Sequence, residues 1–192
     1  MARASLLPLS FLFFAPVALT LHAGAQTAQA ARPGSIAAHP EWPKAKPGDV
    51  QSVDSVLAAL YDVISGPAGQ ARDWNRFKSL FIPDARLIPV RHSKTGTGAD
   101  VLPLSVEQYQ ERATPLLAAG FLERGIHSTS ESFGDVVHVF STYESRRTKD
   151  GPPFQRGINS IQLLKDGNRY WVVNIFWDAE TPANPIAAKY LP

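Results

Sequence analysis

Cysteine is absent from this 192-residue chain. Its absence excludes disulfide bonds, thiol chemistry and a lipid anchor on an N-terminal cysteine, so packing alone must stabilise the fold. Runs of like charge are also absent. The formal net charge is +2 and the basic residues are scattered, which argues against nucleic acid as a partner. No phosphate-binding loop, dinucleotide fingerprint or cluster of metal ligands occurs in the sequence, which therefore predicts neither a cofactor nor a metal site.

The first residues have the pattern of an export signal. Arg3 supplies a positive charge, an apolar stretch runs from Leu6 to Leu21, and Ala23-Gly24-Ala25 offers a small-x-small cleavage site. A membrane anchor is the alternative, but the apolar run is short for a span of ~20 residues, and prolines interrupt it. We therefore predict a signal peptide over 1–25 and an exported protein, periplasmic or secreted, without a stable membrane anchor.

The rest of the chain divides into a leader, a domain and a tail. Residues 26–48 hold four prolines among Ala, Gln and Lys, a composition that predicts an extended, mobile leader with nothing to bury. A single domain is predicted over 49–178. The tail, 179–192, is predicted to be an extended strap that lies over the mouth of the domain or over a partner subunit.

Three helices are predicted at the start of the domain. Apolar residues recur with helical spacing from Val53 to Ile64, and Ser52 or Asp49 can cap that helix. A second, shorter helix begins at the Asp73 cap. A third helix begins with a capping box at Ser105 and ends before Gly120.

Strands dominate the second half of the domain. A short strand, 86–90, precedes the third helix, and four strands follow it, over about 121–132, 135–147, 154–165 and 169–178. Asp166-Gly167 between two apolar runs is a strong hairpin signal. The last strand is apolar on both faces, so both faces must be covered. Helices cover one of them, and a second subunit is the simplest cover for the other, which predicts a homodimer through the sheet; a tail that folds back is the alternative.

This order of elements resembles the NTF2-like superfamily, in its SnoaL-like and ketosteroid-isomerase-like branch. The segments that carry the resemblance are 74–87 and 166–178, and the stretches 60–67 and 140–146 look like exported bacterial members of unassigned activity. The resemblance implies an α+β, cone-shaped NTF2-like (cystatin-like) fold, with three N-terminal helices packed on a curved antiparallel sheet. This fold hosts isomerases, dehydratases, cyclases, epoxide hydrolases and non-enzymes, so it leaves the function open.

The same resemblance argues against steroid isomerisation. That family carries its catalytic aspartate at the end of the first strand, and counting on from Asp84-Ala85 places Pro89 at this position. Tyr61 matches the family's oxyanion tyrosine if the loop 65–72 is an insertion. An oxyanion donor without its base does not perform the reaction.

Strand periodicity sorts the candidate site residues by face. If Ser132 pairs with Asp135 across the turn, Glu123 and His127 share one face, whereas Arg124 and Tyr143 share the other. The last hairpin, in the same way, places Arg156 with Trp177.

Two candidate sites and three functions follow. His127, oriented by Glu123, would be the base of a cofactor-independent lyase or isomerase; the alternative for His127 is a half-exposed position at a dimer interface. The other site would bind a small, largely apolar organic molecule with a polar or acidic end. Its predicted residues are Tyr61, Arg124, Tyr143, Arg156 and Trp177. The two arginines have an alternative as partners of Glu123, Glu144 or Asp178, and the third function is a non-catalytic dimerisation module with a filled pocket.

Overall fold

The computed structural model describes residues 31–32, 35–93 and 98–192. The predicted signal peptide lies outside the described residues and stays a prediction. Within the described part, the helices are α1 (Pro47–Val50), α2 (Val53–Ile64), α3 (Trp74–Ser79) and α4 (Val106–Leu117). The strands are β1 (Phe81–His92), β2 (Ala99–Val101), β3 (Leu122–Phe133), β4 (Val136–Arg146), β5 (Pro153–Asp166) and β6 (Arg169–Ala179).

Side-chain caps fix the helix starts where the sequence predicts them. Ser52 forms a capping box with Ser55 at α2, and Ser105 forms one with Gln108 at α4. The Asp73 side chain accepts from the first turn of α3. The sequence did not predict α1, whose single turn is held to its neighbours because Arg76 on α3 donates to Asp49 at 2.8 Å.

The six strands form one mixed sheet in the order β2-β1-β6-β5-β4-β3. The predicted antiparallel sheet is present, and one of its pairings, between β1 and β6, is parallel. β1 is also longer than predicted. Pro83-Asp84 lies in an irregularity between Phe81 and Arg86 where the register shifts. A proline is tolerated there because it removes no ladder hydrogen bond.

A bulge in β3 changes which residues share a face. The hairpin pairs Phe133 with Val136, and Ile126 is an extra residue between Gly125 and His127. Directly opposed residues share a face, and a bulge reverses the alternation. Glu123 therefore lies opposite Ser145, on the inner face that meets the helices, whereas His127 lies opposite Thr142 on the outer face. The predicted common face for Glu123 and His127 is wrong.

A register shift between β5 and β6 has the same effect on the second predicted site. Gln162 pairs with Asn174 and Leu163 with Val172, which leaves Val173 as the extra residue. Trp177 consequently lies opposite Asn159 on the inner face. Arg156 and Arg124 both lie opposite Glu144 on the outer face. The predictions that Arg124 shares a face with Tyr143, and Arg156 with Trp177, are wrong for this reason.

The leader and the tail both pack on the domain. The Trp42 indole donates to the carbonyls of Lys78 and Phe81 at 3.0 and 2.9 Å, so the described part of the leader is anchored, in contrast to the prediction. The tail crosses the outer face of the sheet, where the Tyr190 carbonyl accepts from Thr142 at 2.7 Å and its ring packs on Phe140. The tail thus provides the cover that the sequence left as an alternative to a second subunit.

The core lies between the helices and the inner face. Leu60 of α2, Phe77 of α3 and Val106 of α4 meet Val139 and Val172 of the sheet in one buried cluster. None of the helices in the described part of the chain has the length and apolar content needed to span a membrane.

Candidate functional site

The helices and the inner face of the sheet enclose a cavity of about 460 Å³. Its volume is in the range typical of small-molecule sites. Its wall is largely apolar and aromatic, with Phe77, Leu87, Leu104, Leu117, Phe121, Ile161, Ile175 and Trp177 among the lining residues. A few polar side chains converge within this wall, and they define the candidate site.

Glu123 is the one acidic residue among the described residues that line the cavity. Its Oε2 accepts a hydrogen bond from Ser145 Oγ at 2.8 Å, and the structure gives Oε1 no hydrogen bond to any described residue. Burial raises the pKa of Glu123 to about 7, although the Ser145 hydrogen bond works in the opposite direction. Both the protonated and the ionised carboxyl group are therefore populated near neutral pH.

A hydrogen-bonded cluster around Tyr61 forms the wall next to Glu123. The Tyr61 hydroxyl lies 2.7 Å from Ser141 Oγ and accepts from Asn159 Nδ2 at 3.3 Å. Burial raises the pKa of Tyr61 to about 12. The phenol is thus a neutral donor and acceptor whose partners are already in place. Gly125 makes room for the ring, because a Cβ at this position would lie 3.0 Å from it.

Two further phenols face the same cavity. Tyr143 accepts from Gln155 Nε2 at 3.3 Å, and Tyr109 has no hydrogen-bond partner for its hydroxyl among the described residues. Burial raises the pKa of both phenols, and the nearby Glu123 carboxyl raises it further. Both hydroxyls keep their protons at neutral pH, and neither is seen to donate to another described residue.

Two arginines lie at the mouth of the cavity. Arg112 of α4 is exposed and has no hydrogen bond or ion pair to any described residue. The Arg147 guanidinium lies 4.2 Å from the centre of the Phe154 ring, and it donates to the Gly120 carbonyl at 3.2 Å. Phe154 in turn packs edge-on against Phe121. The mouth therefore combines positive charge with aromatic surface.

The arginines predicted to bind ligand lie outside this cavity. Arg124 donates to Glu144 at 2.7 Å, and Arg156 donates to Glu180 at 2.8 Å. Burial of Glu144 favours its neutral form, but the hydrogen bonds from Arg146 and Arg124 outweigh this effect and hold its pKa below the usual value. Ion pairing was the alternative role for both arginines. Arg124 pairs with Glu144, one of the partners named for it, whereas Arg156 pairs with Glu180, which was not named.

His127 borders an open groove between α2 and the edge strand β3. Its Nε2 atom is buried without a hydrogen-bond partner among the described residues. Within the same residues, no hydrogen bond joins it to Glu123 or Glu144. The predicted pairing of a histidine base with an orienting carboxylate is therefore not formed.

Comparison with solved structures reveals the fold. A protein of unknown function with a cystatin-like fold from Nostoc punctiforme matches with a TM-score of 0.52 at 12% identity, over 70% of this chain and 92% of its own. The fold is cystatin-like. A protein of unknown function from Mycobacterium tuberculosis gives a TM-score of 0.53 at 14% identity, over 71% of this chain and 75% of its own. This is the fold that the resemblance implied, and the predicted α+β class is confirmed.

An NTF2-like protein of unknown function from Shewanella baltica also matches, at 13% identity and a TM-score of 0.44, over 67% of this chain and 90% of its own. No family model matches the sequence, and no curated protein matches it. Identities this low show the fold alone, so the function has to be argued from the side chains.

The cystatin-like fold brings together four of the seven predicted site residues: Tyr61, Glu123, Tyr143 and Trp177 line the cavity. The other three lie outside the cavity. Arg156 is on the outer face, and Arg124 and His127 border the open groove that Tyr61 and Glu123 also line. No group of three or more acidic or histidine side chains suited to a metal ion occurs among the residues that the structure describes.

Sequence reasoning missed Tyr109, Arg112 and Arg147. A signal for the first was present, because Val106, Tyr109 and Ala113 have helical spacing on the face of α4 that packs on the sheet. Arg112 flanks that stripe, as a residue at the edge of a buried face does. Arg147 follows β4 directly, at the end of the sheet where the cavity opens.

Proposed function

We propose that the protein binds a small, largely apolar organic molecule in the cavity and transfers a proton on it, as a cofactor-independent lyase or isomerase. The observation that carries the proposal is the position of Glu123, a carboxyl group with a pKa raised to about 7 that faces an apolar cavity. A general base works best when its pKa lies near the pH at which it operates. Perturbed groups in clefts mark functional sites more often than chance.

Glu123 replaces His127 in the role that the sequence assigned to a histidine. In the ionised form, its free Oε1 would remove a proton from a carbon next to a carbonyl group. In the protonated form, it would return that proton to another carbon, or give it to a leaving hydroxyl group. The same carboxyl group thus acts as the base in the first half-reaction and as the acid in the second.

Negative charge that develops on the substrate oxygen needs a donor. Tyr109 and Tyr143 have hydroxyl protons that no described residue accepts, and both line the cavity with Glu123. Neutral phenols in an apolar site stabilise an oxyanion well, because their donors are fixed before the reaction begins. Tyr61 is less suited, since Ser141 and Asn159 already occupy its hydroxyl group.

Binding is the first part of the proposal to test. Native mass spectrometry of protein purified from its own source, before and after mild denaturation, would detect a small molecule that co-purifies. The control is the variant Ala113→Phe, whose larger side chain would fill the cavity because Ala113 lines it. We expect the molecule to be lost from this variant while its fold is retained. An adduct that persists in the filled variant would contradict binding in the cavity.

Proton transfer is tested by isotope exchange. Apolar ketones and β-hydroxyketones are incubated with the protein in deuterium oxide, and NMR follows deuterium uptake at the carbon next to the carbonyl. We expect exchange with the native protein and at least a hundredfold slower exchange with Glu123→Gln, whereas His127→Gln stays active. A protein that binds these ketones but exchanges no deuterium would contradict catalysis and leave the binding function alone.

Export and dimerisation are part of the same proposal. The support for export is the charged, apolar and small-residue pattern of residues 1–25. The mass of the protein recovered from an expressing bacterium would test it, since cleavage removes the mass of that segment.

The support for a homodimer through the sheet is the apolar surface that remains on the outer face, such as Phe176, which is 42% exposed. Light scattering on the purified chain measures its mass in solution.

A further inference from the structure

The charges around the cavity are unequal in number and in position. Among the described lining residues, the charged ones are Glu123, Arg112 and Arg147, and all the others are apolar or uncharged. Both arginines lie at the mouth, and both are exposed. The site therefore presents two permanent positive charges at its entrance and one carboxyl group in its interior.

Neither arginine is paired with a carboxylate among the described residues. Arg112 has no acidic partner among the described residues, and the described contacts of Arg147 are the Gly120 carbonyl and the Phe154 ring. Four other arginines, Arg76, Arg124, Arg146 and Arg156, each pair with a carboxylate, whereas the hydrogen bonds of Arg72 and Arg169 go to backbone carbonyls. Among the described residues at this cavity, Arg112 and Arg147 are thus available to bind an anion from solution.

The position of Arg147 suits an anion attached to an aromatic or aliphatic body. Its guanidinium carbon lies over the Phe154 ring, 4.2 Å from the ring centre, and Phe154 packs on Phe121 at a centroid distance of 6.1 Å. An arginine fixed by stacking keeps its donors directed at a planar acceptor and loses less entropy on binding. The rings beneath it, together with Leu116, which is 68% exposed, would contact the apolar body.

We propose that the ligand is an apolar carboxylate whose anionic end binds Arg112 and Arg147 at the mouth, while its other end reaches Glu123. This inference rests on the proposed function and adds the substrate class. The two arginines are specificity residues in this scheme, since they touch the end of the ligand that does not react. The arrangement also fixes the orientation of the bound ligand, because a reversed ligand would place its anion beside the Glu123 carboxyl group.

A pair of fluorescent probes tests the inference. 8-Anilinonaphthalene-1-sulfonate is anionic, and N-phenyl-1-naphthylamine has the same aromatic skeleton without the charge. The probes are titrated into the native protein, into the double variant R112Q/R147Q and into Ala113→Phe. We expect the double variant to lose roughly tenfold in affinity for the anionic probe, the effect of about one charge interaction. Its affinity for the neutral probe should change less than twofold.

A matched control separates site charge from net charge. R91Q/K165Q removes the same two charges at exposed positions that do not line the cavity, and it should bind both probes as the native protein does. Circular dichroism melting shows whether each variant is folded. The anion site would be contradicted if R91Q/K165Q lost as much affinity for the anionic probe as R112Q/R147Q, or if R112Q/R147Q lost none. Either result would leave binding in the cavity itself intact. If Ala113→Phe binds both probes normally, or if neither probe binds the native protein, the proposed function fails as well.

Discussion

Glu123 shows how one residue's environment sets its chemistry. The carboxyl group accepts one hydrogen bond from a described residue, Ser145, and it borders a cavity whose wall is largely apolar. Glu144, on the opposite face, receives two arginines and has a lowered pKa. Two glutamates on neighbouring strands thus differ in protonation because one faces an apolar cavity and the other faces guanidinium groups.

The raised pKa of Glu123 makes the stability of the protein depend on pH. Folding raises this pKa from 4.5 to about 7, so the folded state favours the protonated form. The stabilising effect is complete below pH 4.5 and is lost as the pH rises through 7. We expect the unfolding free energy of the native protein to fall relative to that of Glu123→Gln by up to roughly 3 kcal/mol between pH 4.5 and 8.

Urea unfolding of both proteins at several pH values measures this difference. The comparison removes the titration of all other groups, because they are common to the two proteins. Glu144→Gln is the control, and its difference from the native protein should have the opposite sign, since the pKa of Glu144 is lowered. Parallel pH profiles for the native protein and Glu123→Gln would contradict a raised pKa.

At the scale of the elements, capped helices and hairpins were predictable and bulges were not. The caps at Ser52, Asp73 and Ser105 are local sequence signals, and they start helices in the structure. The extra residue Ile126 has no such signal of its own. Its neighbour Gly125 was the available hint, since an isolated glycine within a strand often marks a bulge. Val173 has no comparable neighbour.

The two bulges had a large effect on the site, because side chains alternate between the faces of a strand with a period of two. One extra residue in β3 moved Glu123 to the inner face and left His127 outside, and another in β6 separated Arg156 from Trp177. The residues on α2 and β4, Tyr61 and Tyr143, do not depend on these bulges. Both line the cavity.

Gly157 of β5 provides a prediction about how an element holds the site. The Tyr143 ring lies across this position, and a Cβ on residue 157 would overlap the Tyr143 hydroxyl and the Asp178 carbonyl oxygen. The strand cannot move away because both its edges are paired. We expect Gly157→Ala to lower the unfolding free energy by about 2 kcal/mol or more, as overpacked sites do, in urea titrations.

Gly48→Ala is the matched control for that substitution. No atom lies within 4 Å of a Cβ at position 48, which belongs to α1. Alanine favours helix over glycine by about 1 kcal/mol, so this variant should be as stable as the native protein or more stable. A native-like stability for Gly157→Ala would show that the Tyr143 ring does not need the space.

At the scale of the whole molecule, the tail decides how much of the sheet is exposed. It crosses the outer face, where it is held by the Arg156–Glu180 pair and by the contacts of Tyr190 with Thr142 and Phe140. A homodimer through this face would include the tail or displace it. The described structure therefore limits the predicted dimer to arrangements that accommodate residues 180–190.

Removal of residues 181–192 tests this role. The deletion exposes Phe140 and Ile158 next to Phe176, which form part of the surface beneath the tail. Exposed apolar patches of this kind promote association, so we expect the shortened protein to form larger species than the full chain at equal concentration. Light scattering after size-exclusion chromatography measures the masses.

Tyr190→Ala keeps the length of the chain and removes one anchor of the tail, and it should shift the association in the same direction but less. Lys165→Gln changes one charge at an exposed position outside the surface beneath the tail, and it should behave as the full chain. Identical masses for all four proteins would contradict a covering role for the tail.

The parallel pairing of β1 with β6 also sets the order in which the chain can fold. Phe81 pairs with Val172, so the N-terminal half of the domain contributes a strand whose main neighbour is synthesised last. Contacts between residues this distant along the chain form slowly, because the intervening loop must close first. A nascent chain lacks its completed sheet until the last strand has emerged, and folding is expected to begin only after synthesis is nearly finished.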